Sequence, residues 1–256
     1  MLTNNSLEIP GIPKPYVMAH RGARIGYPEN TLAAFQYAFD SGADLLETDL
    51  QITADGHFVC FHDDTLERTT DGHGAVASLA LSEVKRYCAD CNMPGFSDQR
   101  VPTLAELAAI SPDSVYLMLE LKTDSFLEAE TCQRLVDELD QLGIRGRTGV
   151  LSFSLARIQA VKSIAPDIPI GWITLKQPMP RQAVELQGPL WPWLFLNPLY
   201  VALAHRRGMA VCPLDPAPDA RLWWYRFIGC DAVLTDEPRR TLAKLGRGAD
   251  SSTPQV

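Results

Sequence analysis

The sequence has 256 residues, of which 46% are hydrophobic and 21% charged, and its formal net charge is −8. This length is typical of one closed α/β barrel, which runs to about 250 residues, and the composition supports a sizeable core and excludes a disordered body. The 23 basic side chains are scattered along the chain, so no nucleic-acid-binding surface is predicted.

The ends and the apolar stretches of the chain predict a cytoplasmic protein without membrane insertion. Residues 1–15, a predicted N-terminal extension, contain no basic segment followed by an apolar one, as a signal peptide would. The longest apolar stretch, Leu190–Leu196, is interrupted by Pro192 and is far shorter than the ~20 residues of a membrane helix. Six cysteines lack framework spacing, and their only CxxC pair, Cys88 and Cys91, is interpreted as chance. The oligomeric state stays open.

Short apolar strands alternate with amphipathic helices along the chain, which is the pattern of parallel βα folds. The predicted strands are Val17–Ala19, Leu45–Leu50, Tyr116–Leu121, Gly149–Leu151, Pro169–Ile173, Leu194–Leu196, Met209–Cys212 and Ala232–Leu234. The clearest predicted helices are Thr31–Asp40, Leu104–Ala109, Leu127–Gln141 and Leu155–Ile164. Eight strands predict an α/β fold of the (β/α)8 TIM barrel type, in one domain over residues 16–240.

Two segments depart from this alternation. Residues 54–102 contain the turn signals Asp55-Gly56, Asp71-Gly72 and Pro94-Gly95, which predict a small insertion after the second strand. Residues 246–256 are rich in Gly, Ser, Thr and Pro without an apolar pattern, and a disordered tail is predicted there.

Polar side chains lie at the carboxyl ends of three predicted strands, where barrel enzymes place their chemistry. Glu47 and Asp49 point to one side of the second strand because strand side chains alternate, and Glu120 and Lys122 likewise share a side of the third. If these sides face the barrel interior, Glu47, Asp49 and Glu120 supply three hard oxygen ligands, which Mg²⁺ and Ca²⁺ prefer. The alternative is outward-facing acids in surface ion pairs.

Two histidines and two cations accompany these acids. His20 ends the first strand, and His62 ends the apolar run Phe58–Phe61. Such a pair of imidazoles suits proton transfer near neutral pH. Arg21 and Lys122 suit phosphate oxygens, and the alternative for Arg21 is an ion pair with an acid such as Glu29.

The order of these motifs resembles the glycerophosphodiester phosphodiesterase family. The matching segments are His20-Arg21-Gly22, Pro28–Thr31, Glu47–Asp49, Phe61–Leu66, Arg68–Thr70, Val101–Leu104, Leu119–Lys122, Ser152-Phe153 and Leu234–Pro238. The resemblance extends from about Tyr16 to Pro238. It implies a metal-dependent phosphoric diester hydrolase that acts on small-molecule glycerophosphodiesters and releases glycerol 3-phosphate and an alcohol.

The resemblance also implies a role for each site residue. Glu47, Asp49 and Glu120 would hold one divalent cation, Mg²⁺ or Ca²⁺, His20 and His62 would be the general acid and base, and Arg21 and Lys122 would bind the substrate phosphate. Which histidine is the acid stays open. Asn30 and Thr31 suit helix capping at least as well as substrate contact.

One segment departs from the family pattern. The chain has Cys212-Pro213-Leu214-Asp215 where the family usually shows Trp-Thr-Val-Asn at the end of the seventh strand. This difference is compatible with the core chemistry but puts the usual substrate in doubt. Trp172 could supply a replacement aromatic surface, although a core role is the favoured interpretation. Two alternatives therefore remain, namely a lysophospholipase D-like phosphodiesterase and a catalytically silent barrel that binds a phosphate ligand.

Overall fold

Eight parallel strands form the inner wall of the structure, a computed structural model that describes residues 2–3, 6–181 and 184–247. A ninth strand of the same sheet, β3, pairs antiparallel with the edge of β2. The strands of this sheet are β1 (Tyr16–His20), β2 (Leu45–Ile52), β3 (Phe58–Cys60), β4 (Tyr116–Leu121), β5 (Thr148–Ser152), β6 (Ile170–Thr174), β7 (Leu186–Pro189), β8 (Ala210–Val211) and β9 (Ala232–Thr235). A separate antiparallel pair of two-residue strands, Leu2–Thr3 and Ser6–Leu7, precedes it.

The parallel strands follow one another around a nearly closed barrel. Their order is β8-β7-β6-β5-β4-β2-β1-β9. Between the two terminal strands of this order, the backbone N–H of Asp231 donates to the carbonyl oxygen of Val211 over 2.9 Å. The predicted TIM-barrel fold is confirmed, and all the carboxyl ends of its strands consequently open on one face.

Nine helices surround the wall within the described residues. They are α1 (Leu32–Asp40), α2 (Leu81–Val84), α3 (Leu104–Ile110), α4 (Ala129–Gln141), α5 (Leu155–Ile164), α6 (Pro192–Leu196), α7 (Tyr200–His205), α8 (Leu222–Ile228) and α9 (Pro238–Lys244). Thr31 caps α1 with its hydroxyl, as its predicted capping role requires. No described helix has the length and hydropathy needed to cross a bilayer.

The predicted sixth strand was wrong. Leu194–Leu196 belongs to α6, and the strand at that place is β7, which lies earlier in the chain. Pro192 at the first turn favours a helix because its fixed φ suits that position. In β7 only Leu186 is a large apolar residue, so its composition gives little strand signal.

The segment between β2 and α3 has its own apolar cluster. Val59, Phe61, Leu66, Val76 and Val101 are buried together there. The cluster lies beside the second barrel strand through the β2–β3 pairing, in which Leu50 is opposite Cys60. This packing holds the residues that follow β3 next to the carboxyl end of β2.

The described ends of the chain cover the opposite, amino-terminal face of the barrel. Ile9 packs among the interior side chains, and its backbone N–H donates to the Tyr16 hydroxyl over 2.8 Å. Arg247 makes two hydrogen bonds to the Asp44 carboxylate, at 2.5 and 2.8 Å. Most of the tail predicted to be disordered, from residue 248 onward, lies outside the described residues.

Candidate active site

Three carboxylates meet at the carboxyl ends of β2 and β4. Strand register places Asp49 beside Glu120, while Glu47 lies two residues earlier on the same face. Each of the three acids offers an oxygen, and these oxygens lie within 4.8 Å of one another. Glu47, Asp49 and Glu120 are only 3%, 0% and 7% exposed, which excludes the alternative of surface ion pairs.

The crowding of these acids is electrostatically unfavourable. Burial raises the pKa of the Glu47 carboxyl, and the charges of Asp49 and Glu120 raise it further. The pKa of Glu120 is raised by burial and by Asp49. The Oδ1 atom of Asp49 is buried and has no hydrogen-bond partner. A hard divalent cation fits this donor set, because it would offset the repulsion between the carboxylates and bind the Asp49 oxygen that has no hydrogen bond.

Asn30 orients the most buried of the three acids. It has a positive φ of 55°, and its Nδ2 donates to Asp49 Oδ2 over 2.8 Å. The Thr48 hydroxyl donates to Asn30 Oδ1, also over 2.8 Å, which fixes the amide so that its N–H groups face Asp49. Asn30 therefore positions Asp49, and of the two expected capping residues only Thr31 caps α1.

The two predicted phosphate-binding cations lie against the acids. Lys122 Nζ is 2.9 Å from Glu120 Oε1 and 3.5 Å from Asp49 Oδ1. The Arg21 guanidinium is 2.8 Å from Glu29 and 3.1 Å from Asp49, while its backbone N–H donates to Glu47 Oε2 over 3.0 Å. The Glu29 ion pair anticipated as an alternative for Arg21 is thus present, and it holds the cation at the edge of the acidic cluster.

In both histidines of the site, a carboxylate lies within hydrogen-bonding distance of Nδ1. His20 Nδ1 is 2.7 Å from Asp236 Oδ1, and His62 Nδ1 bonds to Asp63 Oδ1. A neutral imidazole held in this way carries its proton on Nδ1 and leaves Nε2 free as an acceptor. Burial lowers the pKa of His62 below its ordinary value, although the Asp49 charge and the Asp63 hydrogen bond act in the opposite direction. This imidazole is therefore neutral at pH 7, the form that accepts a proton.

A chain of ion pairs connects the two sides of the site. Glu29 bonds to Arg21 over 2.8 Å and to Arg68 over 2.7 Å, and Arg68 also pairs with Asp63. Although burial acts in the opposite direction, the Arg68 hydrogen bonds and the charges of Arg21 and Arg68 lower the pKa of Glu29 to about 2. Both Glu29 and Asp63 are consequently anionic at neutral pH, so the network stays charged and fixed.

Only glycine fits at position 22, between the first strand and α1. Its φ is 86°, and a Cβ atom at this position would lie 2.7 Å from the backbone carbon of Ala34. Any side chain would therefore push α1 away from the loop that carries Arg21. Gly22 lets the backbone approach this helix closely, and so positions the motif.

Two of the three acids, Glu47 and Glu120, line one side of a cavity inside the barrel. His20, Glu47 and Glu120 form its polar wall, and its apolar wall includes Leu151, Trp172, Ile173, Leu186, Cys212 and Leu214. Cys212 therefore does line the pocket, as does Trp172. Asp215 does not reach it, because Arg221 and Tyr225 hold its carboxylate behind the wall.

The roles of several residues that position the site were not predicted from the sequence. Asp236 and Asp63 orient the histidines, Asn30 orients Asp49, and Arg68 links Glu29 to Asp63. For Asp236 a signal existed, because it is the first charged residue after the buried strand β9, at the active face. Asp63 directly follows His62. Nothing local distinguishes the role of Arg68.

Comparison with known proteins agrees with this geometry. The sequence model of the "Glycerophosphoryl diester phosphodiesterase family" matches residues 20–240. The chain is 32% identical to a glycerophosphodiester phosphodiesterase of Caldanaerobacter subterraneus, over 92% of this chain and 99% of the relative. The chain belongs to the glycerophosphoryl diester phosphodiesterase family and is a phosphoric diester hydrolase.

Solved structures show the same architecture. A phosphodiesterase of Oleispira antarctica, in complex with the product sn-glycerol-3-phosphate, is similar with a TM-score of 0.81 and 27% identity, over 91% of this chain and 97% of that one. A glycerophosphodiester phosphodiesterase of Agrobacterium tumefaciens is similar with a TM-score of 0.75 and 26% identity, over 89% and 99% of the two chains.

The Asp236–His20 contact generates a first prediction. Asp236→Asn removes the charge that stabilises an imidazolium at His20, so kcat should fall roughly 10- to 100-fold, part of the usual contribution of general acid–base catalysis. Steady-state kinetics on glycerophosphocholine measures this. The matched control is Asp219→Asn, because Asp219 pairs with Arg240 instead of a histidine. Parental kcat in Asp236→Asn would show that the carboxylate is dispensable.

Proposed function

We propose that the chain hydrolyses glycerophosphodiesters with one divalent cation, Mg²⁺ or Ca²⁺, held by Glu47, Asp49 and Glu120. The observation that carries the proposal is the buried acid cluster, in which one Asp49 oxygen has no hydrogen-bond partner. Arg21 and Lys122 balance part of its charge but leave that oxygen without a hydrogen bond. When bound, the cation would polarise a phosphoryl oxygen as a Lewis acid.

The two histidines would carry the protons. One of them takes a proton from the nucleophile, which is water or a neighbouring hydroxyl of the substrate, and the other protonates the leaving oxygen. His20 lines the cavity, and the backbone N–H of Phe61, just before His62, donates to the Asp49 carbonyl. The carboxylates of Asp236 and Asp63 hold both rings in place. The products are glycerol 3-phosphate and the free alcohol.

Arg21 and Lys122 would hold the phosphate oxygens. Both cations are largely buried beside the acids, with side chains 11% and 15% exposed. Their proximity to the carboxylates keeps them charged, since the acids raise the pKa of each side chain against the opposing effect of burial. A diester phosphate at the mouth would exchange some of these ion pairs for its own.

The proposed domain and location complete this assignment. Residues 16–240 would act as one catalytic domain, with the insertion at about 54–102 supplying His62, Asp63 and Arg68. A cytoplasmic location agrees with six cysteines that are all free thiols.

The metal assignment makes a second prediction. Glu47→Ala, Asp49→Ala and Glu120→Ala should each weaken Mg²⁺ or Ca²⁺ binding, and chelation should abolish turnover of the parent. Titration calorimetry measures the affinity. Glu106→Ala is the control, since Glu106 is an acid that pairs with Lys85 and lies outside the three-acid cluster. Parental affinity in the three site variants would contradict the assignment.

The histidine assignment makes a third prediction. His20→Ala and His62→Ala should each lower kcat about 10²- to 10⁴-fold, the usual worth of general acid–base catalysis, with metal affinity little changed. His73→Ala is the control, because His73 is exposed in the insertion. Near-parental kcat in either site variant would remove that histidine from the mechanism.

One observation supports a second candidate substrate, a lysophospholipid. The cavity wall opposite the acids is apolar, and position 212 carries a small Cys. Such a wall suits an alkyl group as well as a small alcohol. Comparing turnover of glycerophosphocholine and lysophosphatidylcholine in one assay separates the two. A silent phosphate-binding barrel is a weaker explanation, because a binder has no use for two oriented histidines.

The small side chain at position 212 makes a fourth prediction. Cys212→Trp should lower KM for glycerophosphocholine while leaving kcat within a few-fold, because an indole on the cavity wall adds contact surface that substrate and transition state share. Cys212→Leu is the control, because it adds bulk at the same position without the aromatic ring. Loss of kcat/KM on lysophosphatidylcholine alone would instead support the lipid substrate.

A further inference from the structure

Most of the exposed large hydrophobic side chains within the described residues lie on one flank of the barrel. We define this aromatic flank by Leu175, Met179, Phe195, Leu196, Leu199, Trp223 and Phe227, with exposed fractions between 40% and 78%. Isolated exposed apolar residues are ordinary, but contiguous patches mark interaction sites. The catalytic assignment leaves this flank without a role.

Contacts join these residues into one surface. Phe195 of α6 stacks on Trp224 of α8 with ring centroids 5.2 Å apart, and Trp224 also contacts Trp223 and Phe227, at 5.7 and 5.6 Å. Trp193 of α6 donates through Nε1 to the Leu175 carbonyl over 2.8 Å. The surface therefore continues from α8 across α6 to the loop after β6.

The flank begins at the mouth of the active site. Leu175 directly follows β6, at the carboxyl end of that strand. It lines a groove together with Phe153 and Trp172, and Trp172 also lines the catalytic cavity. A partner bound on the flank would consequently lie next to the opening through which substrate enters.

The charge of the flank differs from that of the whole chain. The chain carries −8, yet residues 168–230 contain only three acids, Glu185, Asp215 and Asp219. Each of them is held in an ion pair, with Lys162, Arg221 and Arg240 respectively. Exposed basic side chains are present there, namely Lys176, Arg181, Arg206 and Arg226. The exposed charge carried by residues 168–230, the segment that supplies the whole flank, is therefore positive.

We propose that the aromatic flank docks the barrel on an anionic phospholipid surface. Exposed Trp, Phe and Leu side chains enter the boundary between headgroups and acyl chains, while Arg and Lys are attracted by anionic lipids. A second copy of the chain is the less suitable occupant. In a two-fold symmetric dimer the flank would face the same flank of the second copy. The basic side chains of residues 168–230 would then come together, while the three acids of this segment are already held in ion pairs.

The test is vesicle sedimentation of the full chain. Vesicles of phosphatidylcholine alone are compared with an equimolar mixture of phosphatidylcholine and phosphatidylglycerol. The protein should sediment with the anionic vesicles, and added salt should weaken the binding. Trp223→Ser with Phe227→Ser should lower the partition coefficient roughly tenfold or more. Arg226→Glu should lower it roughly fivefold to tenfold.

Matched controls separate docking from general effects. Leu127→Ser removes an exposed apolar side chain away from the flank, and Arg86→Glu reverses an exposed charge away from it. Both should sediment as the parent does. Because Trp223 and Phe227 are 66% and 78% exposed, their variants should keep the parental melting temperature and the turnover of soluble diester.

Two results would overturn the proposal. The first is absence of binding to anionic vesicles, or binding that the flank and control variants reduce equally. The second is a dimer in lipid-free velocity sedimentation that Trp223→Ser dissociates, which would assign the flank to a second copy. Neither result depends on turnover, so the proposed chemistry can fail or hold independently.

Discussion

Burying three carboxylates in one place is the constraint on which the rest of the site depends. Glu47, Asp49 and Glu120 repel one another at the carboxyl ends of β2 and β4, and burial adds to the unfavourable energy. The surrounding structure offsets this energy in steps. Arg21 and Lys122 lie directly against the acids, and Asn30 fixes one carboxylate. One Asp49 oxygen remains without a hydrogen bond, available to a cation.

A chain of ion pairs connects the acidic cluster to His62. Arg21 is held by Glu29, Glu29 by Arg68, and Arg68 by Asp63, which in turn holds His62. The ion pairs therefore form a continuous chain from Arg21, beside the acidic cluster, to His62, the proposed proton-transfer residue. Interactions of this kind are strongly coupled, so single substitutions should affect neighbours several contacts away.

The polar wall and the apolar wall of the cavity come mainly from different strands. The polar wall is fixed by backbone register, since His20 lies opposite Glu47, and Asp49 opposite Glu120. Most of the apolar wall comes from β5 to β7 and from the residues after β8, whereas the three acids belong to β2 and β4. Cys212 and Trp172 belong to this second wall. The candidate catalytic residues and the apolar wall therefore lie mostly on separate parts of the barrel.

The sequence by itself determined the barrel and the identity of the groups at its mouth. Strand alternation placed Glu47 with Asp49, and Glu120 with Lys122, because side-chain direction is a local property of the backbone. The tertiary structure alone decided the place of β7, which has little apolar signal, and the contacts of Asp236 with His20 and of Arg68 with Glu29. These pairs are 216 and 39 residues apart. Only closure of the barrel and packing of the insertion bring such distant residues within hydrogen-bonding distance.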